Sequence, residues 1–122
     1  MSQKEHSLQM DYIEFPATDI EGTKRFYHDV FGWDFQDYGP GYTSFHDGRL
    51  GGGFNAEAKP AAADGNQTRG TLVVIYAAAL EDVHAKVKAA GGKIVREIFE
   101  FPGGRRFHFS DPNGNELAVW SE

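Results

Sequence analysis

The residues of this chain best placed for chemistry are a carboxylate and an imidazole set in otherwise apolar, strand-like runs. Glu14 stands in Tyr12-Ile13-Glu14-Phe15, and His108 in Arg105-Arg106-Phe107-His108-Phe109. A carboxylate at the centre of a strand must be solvated, paired or shifted in pKa. As a functional group it is a general base, or an anchor for a ligand amine or hydroxyl. As a structural group it pairs with Arg105 or Arg106 across a sheet. Strand side chains alternate, so Arg106 and His108 share one face and Phe107 and Phe109 the other. With the phenylalanines under a helix, Arg106 is placed to fork onto a substrate carboxylate and His108 to shuttle a proton. The alternative for Arg106 is an ion pair with Glu14 or Glu116. His46, just before the Asp47-Gly48 turn, is a further candidate. His6, His28 and His84 read as tail, helix surface and the flank of a helix stripe.

Other chemistries lack their residues. There is no cysteine, hence no thiol nucleophile, disulfide or zinc–thiolate site. His-x-x-x-His, the Gly-x-Ser-x-Gly elbow and a phosphate-binding loop are also missing from the sequence. Gly103-Gly104 reads as a hairpin turn, because no helix start follows it. Twelve basic against 18 acidic residues, a net charge of −6, oppose nucleic-acid binding, which depends on neutralising phosphates. No apolar run approaches the roughly 20 residues that span a bilayer, and no leader pattern opens the chain. The expectation is a cytoplasmic protein with no membrane partner.

The elements that must position these residues follow from periodicity and punctuation. Tyr12 to Phe15 is a strand ended by Pro16. Thr18-x-x-Glu21 has capping-box spacing, and Ile20, Phe26, Tyr27, Val30 and Phe31 form one helix face that Gly32 terminates. Strands Trp33 to Tyr38, Tyr42 to His46 and Leu50 to Phe54 follow, separated by Gly39-Pro40-Gly41 and Asp47-Gly48. Thr71 to Tyr76 opens a second series with a helix stripe of Leu80, Val83, Val87 and Ala90, then Gly91-Gly92. Strands Ile94 to Phe101, Arg105 to Phe109 and Asn115 to Trp120 complete it. The second series repeats the first: Ile20 and Leu80, Glu21 and Glu81, and Gly32 and Gly92 each stand 60 positions apart. The expected architecture is therefore α+β, two tandem βαβββ modules in mixed, mostly antiparallel sheets. Residues 1–7 read as a loose tail, 8–55 and 70–122 as the modules, and 56–69 as the linker, all within one domain of residues 8–122.

The residues Asp19-Ile20, Phe26-Tyr27, Phe31-Gly32-Trp33, Leu80, Gly91-Gly92 and above all Asp111-Pro112-Asn113-Gly114-Asn115-Glu116-Leu117 carry a family likeness. From Leu8 to Trp120 the chain resembles the vicinal oxygen chelate superfamily, the glyoxalase, bleomycin-resistance and dioxygenase group. It looks closest to its small, single-domain, glyoxalase-like bacterial proteins. The resemblance implies two curved sheets backed by helices, a cleft on the inward strand faces, and pairing as a homodimer. It also implies metal ligands on the first and last strand of each module. Counted from the family's landmarks, these positions fall on Tyr12, on Gly52 or Gly53, on Leu72 and on Ala118. Glycine, leucine and alanine carry no donor, and neutral tyrosine is a poor one. The expectation is no metal and no cofactor, with the metal-dependent glyoxalase and extradiol reactions not carried over.

If the family's ligand positions face inward, so do Tyr12 and Glu14, then Leu72, Val74 and Tyr76, then Glu116, Ala118 and Trp120. The opposite parity, Ile13, Phe15, Val73, Ile75, Leu117 and Val119, is purely apolar and suits packing under helices. The expected function is the binding of a small organic molecule in this cleft. Its ligand contacts are Tyr12, Leu72, Tyr76, Arg106, Glu116, Trp120 and His46. The alternative is a lyase or isomerase using Glu14 and His108 as acid and base. Trp33 reads as core or stacking surface, and Trp120 as stacking surface or dimer contact.

Overall fold

The computed structural model describes residues 3–57 and 71–122. The first module contains β1 (Tyr12–Pro16), α1 (Ile20–Phe31), β2 (Asp34–Asp37), β3 (Tyr42–His46) and β4 (Gly51–Asn55). The second contains β5 (Val73–Tyr76), α2 (Leu80–Ala89), β6 (Lys93–Phe101), β7 (Gly104–Ser110) and β8 (Glu116–Ser121). Each forms a four-stranded sheet, in the orders β1-β4-β3-β2 and β5-β8-β7-β6. The first and last strands of each module pair in parallel, and the other pairs are antiparallel. The two sheets thus have the same wiring, as the repeat predicts. Gln3–His6 form one 3-10 turn ahead of the modules. Most of the interval read as a linker, from residue 58 on, lies outside the described residues. Among the described residues, no helix is long and apolar enough to cross a membrane.

Two details of the helices depart from the sequence reading. The N-cap of α1 is Asp19, not Thr18: its Oδ1 accepts from the Gly22 N–H at 3.1 Å. The Thr18 hydroxyl and N–H both turn instead to Asn113 Oδ1, donating at 3.3 and 2.7 Å. The 60-residue correspondence also slips at the helix ends. Gly32 takes the left-handed conformation after α1 (φ 76°), but after α2 that role falls to Gly91 (φ 92°). Gly92 serves a different purpose. A side chain there would run into Val87 and the Phe26 ring, so this glycine lets the second helix close on the first.

One core spans both modules. Ile13 and Phe15 of β1, Phe45 and Phe54, and Phe107, Phe109, Leu117 and Val119 meet the helices on one side of the sheets. This is the apolar parity expected from sequence. Trp33 belongs to it, stacked between Tyr27 and Phe45 at centroid distances of 4.6 and 4.5 Å. Phe26 and Phe31 of α1 both reach Phe109 of the other module, at 5.9 and 6.0 Å.

The Asp111–Asn115 turn fastens the second module to the first. Asp111 Oδ1 accepts from the N–H groups of Asn113 and Asn115, both at 2.9 Å, which shapes the turn. Its Oδ2 accepts from the Tyr27 hydroxyl at 2.9 Å and from Asn115 Nδ2 at 3.1 Å. Asn113 Nδ2 donates to Thr23 Oγ1 at 2.8 Å, and Asn115 Nδ2 to the Pro16 carbonyl at 2.8 Å. All three turn side chains are buried. Burial pushes the Asp111 carboxyl up from its ordinary value, against the bonds from Asn115, Tyr27 and Asn113. Burial and the neighbouring Asp111 push the Tyr27 hydroxyl well up. The most family-specific motif in the sequence is therefore structural.

Candidate functional site

Each sheet packs its apolar face toward the core, and the opposite face carries Tyr12, Glu14, Val74 and Tyr76, all exposed. On the first sheet, Glu14 lies beside Gly53, and Ser44 flanks Gly53 on its other side. A strand reading Gly51-Gly52-Gly53 leaves bare backbone between β1 and β3. Tyr12 and Tyr42 fold into that gap. Tyr42 Oη donates to Glu14 Oε2 at 2.9 Å, so Tyr12 is left as the donor in the 2.6 Å contact between the two hydroxyls. Burial, reinforced by these bonds, raises the Tyr42 hydroxyl well above its ordinary pKa. The partner of Glu14 is thus a tyrosine and not Arg105 or Arg106.

The two central glycines of β4 face opposite ways, with different consequences. A Cβ on Gly52 would strike the Ile13 backbone carbonyl and the Phe45 ring, whereas one on Gly53 would meet the Tyr42 and Tyr12 hydroxyls. Backbone in a paired strand cannot yield, but the end of a tyrosine can. Gly52→Ala should cost about 3 kcal/mol and Gly53→Ala about 1 kcal/mol. Urea unfolding of the two variants checks the contrast, and equal costs would contradict it.

The second sheet carries a buried polar pair. His108 Nδ1 lies 2.7 Å from Glu116 Oε2, and both side chains are only 6% exposed. The far nitrogen, His108 Nε2, is buried without a hydrogen-bond partner. Arg106 follows two positions earlier on the same face, with Phe99 and Trp120 as its neighbours on the flanking strands. Its guanidinium carbon lies 5.3 Å from the Phe99 ring centroid and 5.5 Å from that of Phe101. Trp120 packs edge-on against Tyr76 and Phe101. Val74, Phe101, Pro102, Gly103, Arg106 and Trp120 line a shallow, open cavity of about 370 Å³.

The other residues singled out from sequence fall apart in space. Arg105 pairs with Glu81 of α2. The Tyr76 hydroxyl donates to Glu122 Oε1 at 2.6 Å. His46 accepts from the Gly48 N–H at 3.0 Å. It shares with Tyr12 an open groove formed by the β3–β4 turn and residues 9–11. Leu72 sits half-buried just before β5. His84 rests edge-on against the Phe107 ring and bonds to Glu97 at 2.9 Å. A groove of about 640 Å³ lies between the modules. The first module lines it with Ile13, Phe15, Phe31, Trp33 and Phe45, and not with Tyr12 or Glu14. Sequence reasoning missed Tyr42, Phe99 and Phe101. The parity of β3 was the available signal, since Tyr42, Ser44 and His46 share the face that looks across the glycines at Glu14.

The register also decides the fourth position that the resemblance left open between Gly52 and Gly53. Ala118 lies opposite Val74, and Val74 corresponds to Glu14 in the repeat. Glu14 lies opposite Gly53, so Gly53 is the counterpart of Ala118. The four positions are then Tyr12, Gly53, Leu72 and Ala118. Three have no donor atom in their side chains, and the hydroxyl of the fourth is bonded to Tyr42. Among the described residues, no group of three or more His, Asp or Glu side chains is arranged to hold a metal ion. The side chains present do not fit the metal implied by the resemblance.

This fold, with two sheets of identical wiring, is that of a glyoxalase-type protein. The sequence matches the model of the Glyoxalase/Bleomycin resistance protein/Dioxygenase superfamily over residues 9–119, and the chain belongs to that family. Among solved structures, it is similar to a glyoxalase-related enzyme from Fulvimarina pelagi. That likeness has a TM-score of 0.75 and 20% identity, over 94% of this chain and 88% of the other. Fosfomycin resistance protein FosX from Mesorhizobium loti gives a TM-score of 0.74 at 13% identity, over 94% and 92%. A shorter match, 57% identical over 28 residues, links the chain to a glyoxylase-like domain-containing protein of Didymella fabae. It spans 23% of this chain and 22% of that protein.

Proposed function

We propose that this chain binds a small organic molecule against the face of its second sheet opposite the apolar core, and does so without a metal ion. One observation carries the reading. The positions at which the family resemblance implies metal ligands hold Tyr12, Gly53, Leu72 and Ala118, while the face of the second sheet that carries Val74, opposite Ala118, offers an open, aromatic-lined cavity of about 370 Å³. A concave, mainly apolar site with one fixed polar group suits a small ligand. The family's own description includes both enzymes and resistance proteins, so the fold alone favours neither.

The lyase or isomerase alternative requires Glu14 and His108 to act on one substrate. Their partners favour binding over that pair: Glu14 is held by Tyr42 on one sheet, and His108 by Glu116 on the other. The test is a fragment titration followed by protein NMR. Shifts should concentrate at Val74, Phe101, Arg106 and Trp120 and saturate. Shifts confined to the Tyr12 and His46 groove, or no saturable shift, would contradict the reading.

A further inference from the structure

We propose that the cavity beside Arg106 selects small monocarboxylic acids with an aromatic or apolar body, an inference that rests on the binding reading above. Glu116, which the sequence offered as a partner for Arg106, is bonded to His108, and Glu122 at the end of the neighbouring strand to Tyr76. Arg106 makes no hydrogen bond or ion pair among the described residues, and its Nε is buried without a partner. Arg96 lies over the same Phe99 ring at 3.7 Å. A chain with a net charge of −6 thus brings two arginines to one ring without a carboxylate for Arg106. A guanidinium with no countercharge gains a charge-assisted hydrogen bond from an incoming anion.

The class of anion follows from the surroundings. A guanidinium is a planar fork that matches a carboxylate. The rest of the cavity wall is Val74, Phe101, Pro102, Gly103 and Trp120, which suits a ring or alkyl body rather than a polyanion. Arg105 is turned away to Glu81, and Arg96, though over the same Phe99 ring, does not line the cavity, so Arg106 is the one guanidinium among its lining residues.

The experiment titrates the whole chain with benzoate, phenylacetate and 3-phenylpropionate, and with the corresponding amides, by calorimetry at pH 7. At least one acid should bind saturably and at least about tenfold tighter than its amide, the scale of a charge-assisted hydrogen bond. Arg106→Gln should erase that preference, and Arg106→Lys should keep only part of it, with thermal melting confirming that both variants fold. Equal binding of acids and amides would overturn the carboxylate inference and leave the binding reading standing. So would a preference that survives in Arg106→Gln. If neither the acids nor any neutral fragment binds, both fall.

Discussion

Replacing Asp111 by alanine should destabilise the protein by about 4 kcal/mol, since each buried donor stripped of its acceptor costs about 1–3 kcal/mol and part of that loss relaxes. The donors are the N–H groups of Asn113 and Asn115, the side-chain amide of Asn115 and the hydroxyl of Tyr27. All converge on one carboxylate that is 4% exposed, so water has little access to replace it. A typical domain is stable by only about 5–15 kcal/mol, so this single change removes a large share. Tyr27→Phe deletes one of the bonds and keeps the ring in its stack, and should cost about 1 kcal/mol. Urea unfolding measures both. A loss below about 1 kcal/mol for Asp111→Ala would show that the turn is not what fastens the modules.

The second large effect belongs to His108. Removing one partner of a buried hydrogen bond strands a polar group in the interior, and costs about 1–3 kcal/mol. His108→Ala should fall in that range, because the His108 and Glu116 side chains are each 6% exposed. Glu14→Ala, by contrast, should cost about 0.5 kcal/mol, as expected for a polar contact on an exposed face. The two residues look alike in sequence, each a titratable group amid apolar neighbours. Their opposite behaviour in unfolding experiments would establish that only one is built into the interior. Equal costs would contradict the burial described for them.

Much of the fold was legible because it depends on local periodicity. Ile20 and Leu80 begin the helices as their stripes predict, and the apolar parity of β1, β5 and β8 packs beneath them. The capping assignment failed for a long-range reason: Asn113, nearly a hundred residues away, draws both the hydroxyl and the N–H of Thr18. The site was less legible than the scaffold. Which carboxylate meets which cation depends on register across strands and on which side chain fills a gap. Tyr42 reaches Glu14 only because β4 presents glycine between them. Glu116 was one of two carboxylates offered as partners for Arg106, but β7–β8 pairing sets Arg106 against Trp120 and leaves Glu116 within reach of His108.

The most direct test of a metal-free binding site is elemental analysis of the chain purified without chelators. With Tyr12, Gly53, Leu72 and Ala118 at the implied ligand positions, nickel, zinc, iron and manganese should each remain far below one ion per chain, including after dialysis against the metal. A stoichiometric ion that survives dialysis would contradict the account.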